Sequence, residues 1–231
     1  MYMSQHQFTP VPSKFDLWRP YNRNYMSLTA RAPGAVLSRI LRSEADPDQF
    51  FAVGLWTSHE AANEWSTSAE SRLGAKPSAD QGLYEGYPMA WSRWELVDFA
   101  FGLEGPGALA GPDLVVRHVT WSGVAEVFEP LETLTRAKMS LMARQPGFVC
   151  GETYRGHRGD RLLSICTFRG RQRWPFAGGE PAELDMLRQS DAAAAVRAKA
   201  PAPFIVDCEV FESVWGPDSD ALQGFIAAAA A

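Results

Sequence analysis

The residues MSLTARAPG at 26–34 nearly recur as MSLMARQPG at 139–147, with seven of nine letters identical. A self-match of this length constrains the chain more than any local pattern, because it implies one structural unit built twice. His6 and His118 stand 112 positions apart, Met26 and Met139 113, and Trp56 and Phe168 112. One inserted residue in the first half of the unit, lost again in the turn before the third strand, accounts for all three spacings. Such small length changes belong in loops.

The repeated letters have a mechanical meaning. A residue before proline is pushed out of the α region, so a helix must stop near Ala32. Gly34 then permits a sharp exit. ARxPG is therefore a junction that ends a helix and aims the chain into a strand. Before it, SKFDLWRPYNRNYMSLTA places Phe15, Leu17, Trp18, Tyr21, Tyr25, Leu28 and Thr29 largely at spacings of three and four, an amphipathic helix that Ser13 can cap. After it, AVLSRILRS and FFAVGLWTS read as strands around the turn EADPDQ. Ser58 can cap a second helix, HEAANEWSTSAESRL, and AWSRWELVDFAF is a closing strand. The second copy repeats the order from DLVVRHVTW to PFIVDCEVFESVW.

The expected class is thus α+β, with two ferredoxin-like β-α-β-β-α-β repeats packed as an intramolecular dimeric barrel. The first repeat spans 1–103, a Gly/Pro linker 104–112, the second repeat 113–216 and a tail 217–231. A ferredoxin-like sheet leaves one face bare of helices. Two such faces packed together would enclose a cavity, and fusion lets the two pockets diverge. The first copy is the better candidate for a working pocket. In solution the chain is expected as a monomeric pseudo-dimer or a homodimer of it.

Composition removes several classes. Net charge is -5 and no Lys/Arg block occurs, so no nucleic-acid partner is expected. No apolar run is long enough for a membrane span, and MYMSQHQF does not resemble a signal peptide. Cys150, Cys166 and Cys208 lack metal or disulfide spacing and read as buried thiols, which points to a cytoplasmic location and no metal site. No dinucleotide, P-loop, zincin or nucleophile-elbow motif is present.

Eight tryptophans suit either an aromatic-rich core or an aromatic-walled pocket for a flat ligand. Trp56, at a strand end, and Trp65, on the second helix, are candidate ligand contacts, with Phe168 at the matching position of the second copy. His6 and His118 occupy similar places on the first strand of each copy, and a histidine there can act as a base. Arg39 and Arg42 lie three apart on a strand and so face opposite ways. Arg39 is the candidate for an anionic substrate group.

The stretch FFAVGLWTSHEAANEW, with Trp-x-Ser closing a strand and a second Trp on the following helix, resembles the antibiotic biosynthesis monooxygenase superfamily. ARxPG before the second strand fits as well, and the resemblance covers both copies. It implies the dimeric α+β barrel. In one branch it implies cofactor-free monooxygenation of anthrones, quinols and related aromatics, with molecular oxygen as co-substrate. That branch has an Asn four residues before the strand-end Trp, where this chain has Ala52 and Ser164. Another branch implies haem binding or degradation, with an iron-ligating His ten residues after the helical Trp. That position is Ala75 here. A third possibility is a non-catalytic small-molecule binding protein on the same fold.

Overall fold

The computed structural model describes residues 1–86, 91–103, 113–170, 182–221 and 224, apart from the side chain of Trp91. The expected linker at 104–112 lies outside these residues. The first series of elements is β1 (Tyr2–Pro10), α1 (Phe15–Ala30), β2 (Ala35–Ser43), β3 (Phe50–Trp56), α2 (His59–Thr67), α3 (Ala69–Asp80), β4 (Tyr84–Glu85) and β5 (Trp91–Phe101). The second is β6 (Leu114–Ser122), α4 (Phe128–Met142), β7 (Phe148–Gly156), β8 (Arg161–Arg169), α5 (Ala182–Gln189), α6 (Asp191–Lys199) and β9 (Phe204–Trp215). The chain is α+β, and the ferredoxin-like order occurs twice.

Each expected long second helix is divided. Ser68 is extended and its hydroxyl accepts from the Ser71 N–H, which starts α3 afresh. Ser190 does the same for Ala193 at the start of α6. A serine that caps a new helix competes with continuing the old one, because its hydroxyl replaces the missing intrahelical partner. Ser58 caps α2 as expected, accepting from Ala61 N–H at 3.1 Å. Ser13 does not cap α1; it lies in a 3-10 turn over Pro12–Lys14 that leads into the helix.

The junction motif behaves alike in both copies. Gly34 and Gly147 adopt φ of +79° and +80°. The Gly34 carbonyl accepts from Thr57 N–H, and the Gly147 carbonyl from Arg169 N–H, each at 2.8 Å. ARxPG therefore also fastens the helix exit to the end of the third strand.

Two compact units form, and they do not divide where the sequence repeats do. The first comprises Met1–Glu95 with Val210–Ala231, the second Leu96–Glu209. The reason lies at the strand ends. Gly216 N–H donates to Val36 O, and Asp218 carboxylate accepts from Gly34 N–H at 2.7 Å, so the expected tail begins as part of the first unit. In the second unit Gly102 N–H donates to Val149 O. The first sheet runs β2–β3–β1–β5, with the end of β9 beside β2 and β4 at the end of β1. The second runs β6–β8–β7, with the start of β9 beside β6 and the end of β5 beside β7.

The ladders correct the register of the repeat. His6 pairs with Ala52, but Ser164, the counterpart of Ala52, pairs with Val119. The structural offset is therefore 113 from the first strand onward and falls to 112 only after the β7–β8 turn. Val119 is the counterpart of His6. His118 is one residue away, and a one-residue slip in a strand turns a side chain to the other face.

Candidate active site

A cavity of about 390 Å³ lies within the first unit, between α1, α2 and α3 and the sheet face beneath them. It falls in the size range of small-molecule sites. Strand alternation supplies one side: Tyr2, Ser4 and His6 from β1, Ser38 and Ile40 from β2, and Ala52, Gly54 and Trp56 from β3. Helix periodicity supplies the other, with Asn22, Tyr25, Met26 and Thr29 from α1 and Trp65 from α2. Tyr84 and Arg93 join from β4 and β5. The cavity is on the helix side of the sheet and not on the bare face where the sequence reading expected it, and the His6 face of β1 is the helix side.

Three of the expected residues meet here. Trp56 is 1% exposed, and its indole N–H donates to Ser4 Oγ at 3.0 Å. Gly54 leaves room for that arrangement, since a Cβ there would stand 2.9 Å from Trp56 Nε1 and 3.0 Å from Ser4 Oγ. Trp65 lines the cavity from the last turn of α2, its ring tilted against Tyr25 at 6.4 Å. His6 lies directly across the ladder from Ala52. Burial holds its imidazolium pKa down at about 4, so the ring is a neutral imidazole near pH 7.

The other three stand elsewhere. Arg39 is buried between Ser38 and Ile40, which line the cavity, and so it occupies the opposite face of β2. Phe168 packs edge-on against Phe148 in a second-unit cluster with Met139, Met142 and Cys166. His118 is 2% exposed in the second unit. Cys166 contacts Met139 of α4, and Arg117 lies opposite Cys166 in the ladder, so their face is the helix side. His118, next in the strand, points away from those helices. Trp56, Trp65 and His6 share the cavity; His118, Phe168 and Arg39 do not.

The sequence reading missed several contributors. Asn22 was legible as a polar residue inside the buried stripe Trp18–Asn22–Met26–Ala30 of α1. That stripe, rather than one including Leu17, faces inward, and Leu17 is exposed. Tyr84 and Arg93 gave no local signal. Burial, reinforced by neighbouring Tyr21, drives the Tyr84 phenol far above its usual value, against a bond with Trp18. Burial also raises the Tyr2 phenol, while the charge and hydrogen bond of Arg93 draw it back. Arg93 donates further to Asn63 Oδ1 at 2.5 Å, and His59 meets Tyr2 edge-on at 4.8 Å.

Residues 1–76, which supply most of this cavity wall, match the family model for antibiotic biosynthesis monooxygenases. The match falls within the first unit. The fold of the whole chain is shared with solved structures. An anthrone oxidase-like protein matches with a TM-score of 0.68 at 15% identity, over 94% of this chain and 94% of its own. A candidate monooxygenase of Fusobacterium nucleatum subsp. nucleatum ATCC 25586 matches with a TM-score of 0.67 at 8% identity, over 93% and 94%. A staphylococcal regulator of pathogenesis matches with a TM-score of 0.50 at 9% identity, over 92% and 100%. No curated protein matches the chain in sequence. At these identities the likeness is one of fold, and a fold hosts many functions.

Within the family-matched unit, the residue where the resemblance has Asn is Ala52, directly opposite His6. Where the haem branch has its iron ligand, the cavity wall presents the methyl group of Ala75. The residues therefore do not fit the haem arrangement at that position. The second unit treats the corresponding face differently. Ser4 is matched by Arg117, which is paired bidentately with Asp207 at 2.7 and 2.8 Å. Gly54 is matched by Cys166, whose sulfur lies 3.5 Å from that of Met139. Among the described residues, no helix is long and apolar enough to cross a membrane.

Proposed function

We propose that the first unit is a cofactor-independent monooxygenase that acts on a flat, oxygen-bearing aromatic of the quinol or anthrone kind, with O₂ as co-substrate. One observation carries the reading: the cavity of the family-matched unit is walled by Trp56 and Trp65 and holds a neutral imidazole at His6. Indole walls suit a flat ring system, and a neutral imidazole can accept a proton.

For an anthrone the chemistry balances as follows. His6 takes a proton from the ring methylene and leaves a delocalised enolate. The enolate passes one electron to O₂, and the resulting radical and superoxide combine into a carbon-bound peroxide, which takes the proton back from His6. Loss of the second C–H proton then breaks the O–O bond, forms the new carbonyl and releases water. One anthrone and one O₂ give one anthraquinone and one H₂O.

The first step is the demanding one. Moving a proton from an acid of pKa about 10 to an imidazole of pKa about 4 is uphill by about 8 kcal/mol. The enolate remains beside the imidazolium it has created, and attraction between opposite charges in a site with little water lowers that cost. Arg93, at the cavity edge, supports the same negative charge.

The test is O₂ uptake by the full chain with anthrone, in the presence of a chelator. One O₂ consumed per quinone formed is expected, with His6→Ala slowing turnover by about 100-fold or more. Uptake no faster than buffer autoxidation would refute the proposal. Full activity in His6→Ala would remove His6 as the base. One working site per chain is also expected, so a binding titration that saturates at two ligands would contradict the single-pocket reading.

A further inference from the structure

We infer that Asn22 selects the ligand of this cavity by hydrogen-bonding an oxygen carried on the aromatic frame; the inference rests on reading the cavity as an aromatic-binding site. Asn22 sits mid-way along α1, is 4% exposed and lines the cavity. Its neighbours on the buried stripe, Trp18, Met26 and Ala30, are apolar. An apolar residue would therefore satisfy packing at this position. Among the described residues, the one hydrogen-bond partner of its side chain is Met26 Sδ at 3.7 Å, a weak thioether acceptor. Buried amides ordinarily find stronger partners than this.

Several other polar groups of the wall are already engaged. Tyr25 and Ser71 hydroxyls bond each other at 3.1 Å, and Ser78 donates to Ala75 O at 2.6 Å. Thr29 donates to Tyr25 O at 3.0 Å. The counterpart of Asn22 in the second unit is Thr135, whose hydroxyl closes on its own helix at Leu131 O, 2.8 Å away. The open amide is thus specific to the unit that carries the cavity. Ser38, on β2, is another open group; it is 7% exposed with no side-chain hydrogen bond among the described residues.

An amide can donate to a carbonyl and accept from a phenol, and a hydroxyl can do both. No carboxylate occurs among the described lining residues, so a cationic ligand is not served. The ligand class is a neutral ring system bearing a keto or hydroxyl oxygen. A plain hydrocarbon of the same shape is rejected because it leaves the buried amide unpaired.

The experiment compares anthrone with 9,10-dihydroanthracene, titrated anaerobically against the full chain by tryptophan fluorescence. Wild type should bind the ketone about 100-fold tighter or more. Asn22→Leu should bind the hydrocarbon at least as well as wild type and lose most of that preference. Asn22→Ala, which adds no bulk, should lose it too, with circular dichroism confirming the fold of each variant. Equal affinity of wild type for both probes, or full preference retained in a folded variant, overturns the inference. Selectivity that depends on Asn22 without O₂ uptake would uphold it while removing the oxygenase reading. Uptake with unchanged selectivity in the variants would do the reverse.

Discussion

The most quantitative consequence of the cavity concerns acid. His6 ionises at about 4 in the folded protein against an ordinary 6.5, because burial penalises the imidazolium. As pH falls, the unfolded chain therefore takes up this proton before the folded one, and the difference favours unfolding. The sign follows directly: the contribution is whole above about pH 6.5, declines through the window between the two values and is gone below about pH 4. A gap of this size costs the folded state about 2 kcal/mol by about pH 5 and about 3 kcal/mol by about pH 4. The assay is urea denaturation followed by circular dichroism across that range, for wild type and His6→Gln. Every other group is common to the two proteins, so the difference between the two curves isolates His6. The variant should have the flatter pH dependence. Parallel curves for the two proteins would refute the argument and, with it, the description of His6 as a neutral imidazole held in a dry wall.

Three further outcomes follow from geometry. Gly54→Ala places a methyl group against Trp56 Nε1 and Ser4 Oγ, so it should turn the indole and weaken anthrone binding by about 10-fold or more while the melting temperature shifts little; fluorescence titration checks this. Gly102→Ala and Gly216→Ala should each destabilise by about 3 kcal/mol or more, because a Cβ there falls 1.8 Å from Phe148 O and 2.0 Å from Ala35 O, backbone atoms with no rotamer to change; thermal melts would show it. Ser68→Ala should cost about 1 kcal/mol through loss of the α3 cap, read by denaturation, and the matched Ser190→Ala should cost about the same.

The architecture was legible because its signals are local and repeated. ARxPG encodes a helix stop and a φ-positive glycine within five letters, and both copies obey it. Alternation sets Tyr2, Ser4 and His6 on one face of β1, but the cavity that His6, Trp56 and Trp65 line is on the helix side, not on the bare face the sequence pointed to. The same period-2 logic carried the error at His118: matching histidines by letter misplaced the strand by one residue, and in a strand one residue is a whole face. Arg39 failed for the related reason that alternation says which residues face opposite ways but not which face holds the cavity. Arg93 and Tyr84 were invisible because they reach the site from strands far along the chain, where only pairing with β1 brings them near. The split of each long helix turned on a single serine hydroxyl, which competes with the helix only once the backbone has turned.

The exchange of strand ends explains how the two copies could diverge without losing the fold. The first unit is completed by the last residues of the second repeat. Phe211 packs against Trp18, Phe15 and Phe50 at ring distances of 6.0, 6.5 and 5.4 Å, beneath the helix that carries Asn22. Gly216 and Asp218 then tie the same segment to β2 and to the Gly34 turn. The second repeat thus contributes to the first unit through the end of β9 and the turn after it, neither of which requires a cavity of its own. Its helix-side face carries Cys166, Met139 and the Arg117–Asp207 pair, while the end of β9 and the turn after it supply Phe211 and Gly216 to the first unit. A duplicated chain under that constraint retains two folds and can specialise one site, which is the asymmetry seen between Asn22, open to its cavity, and Thr135, closed on its own helix.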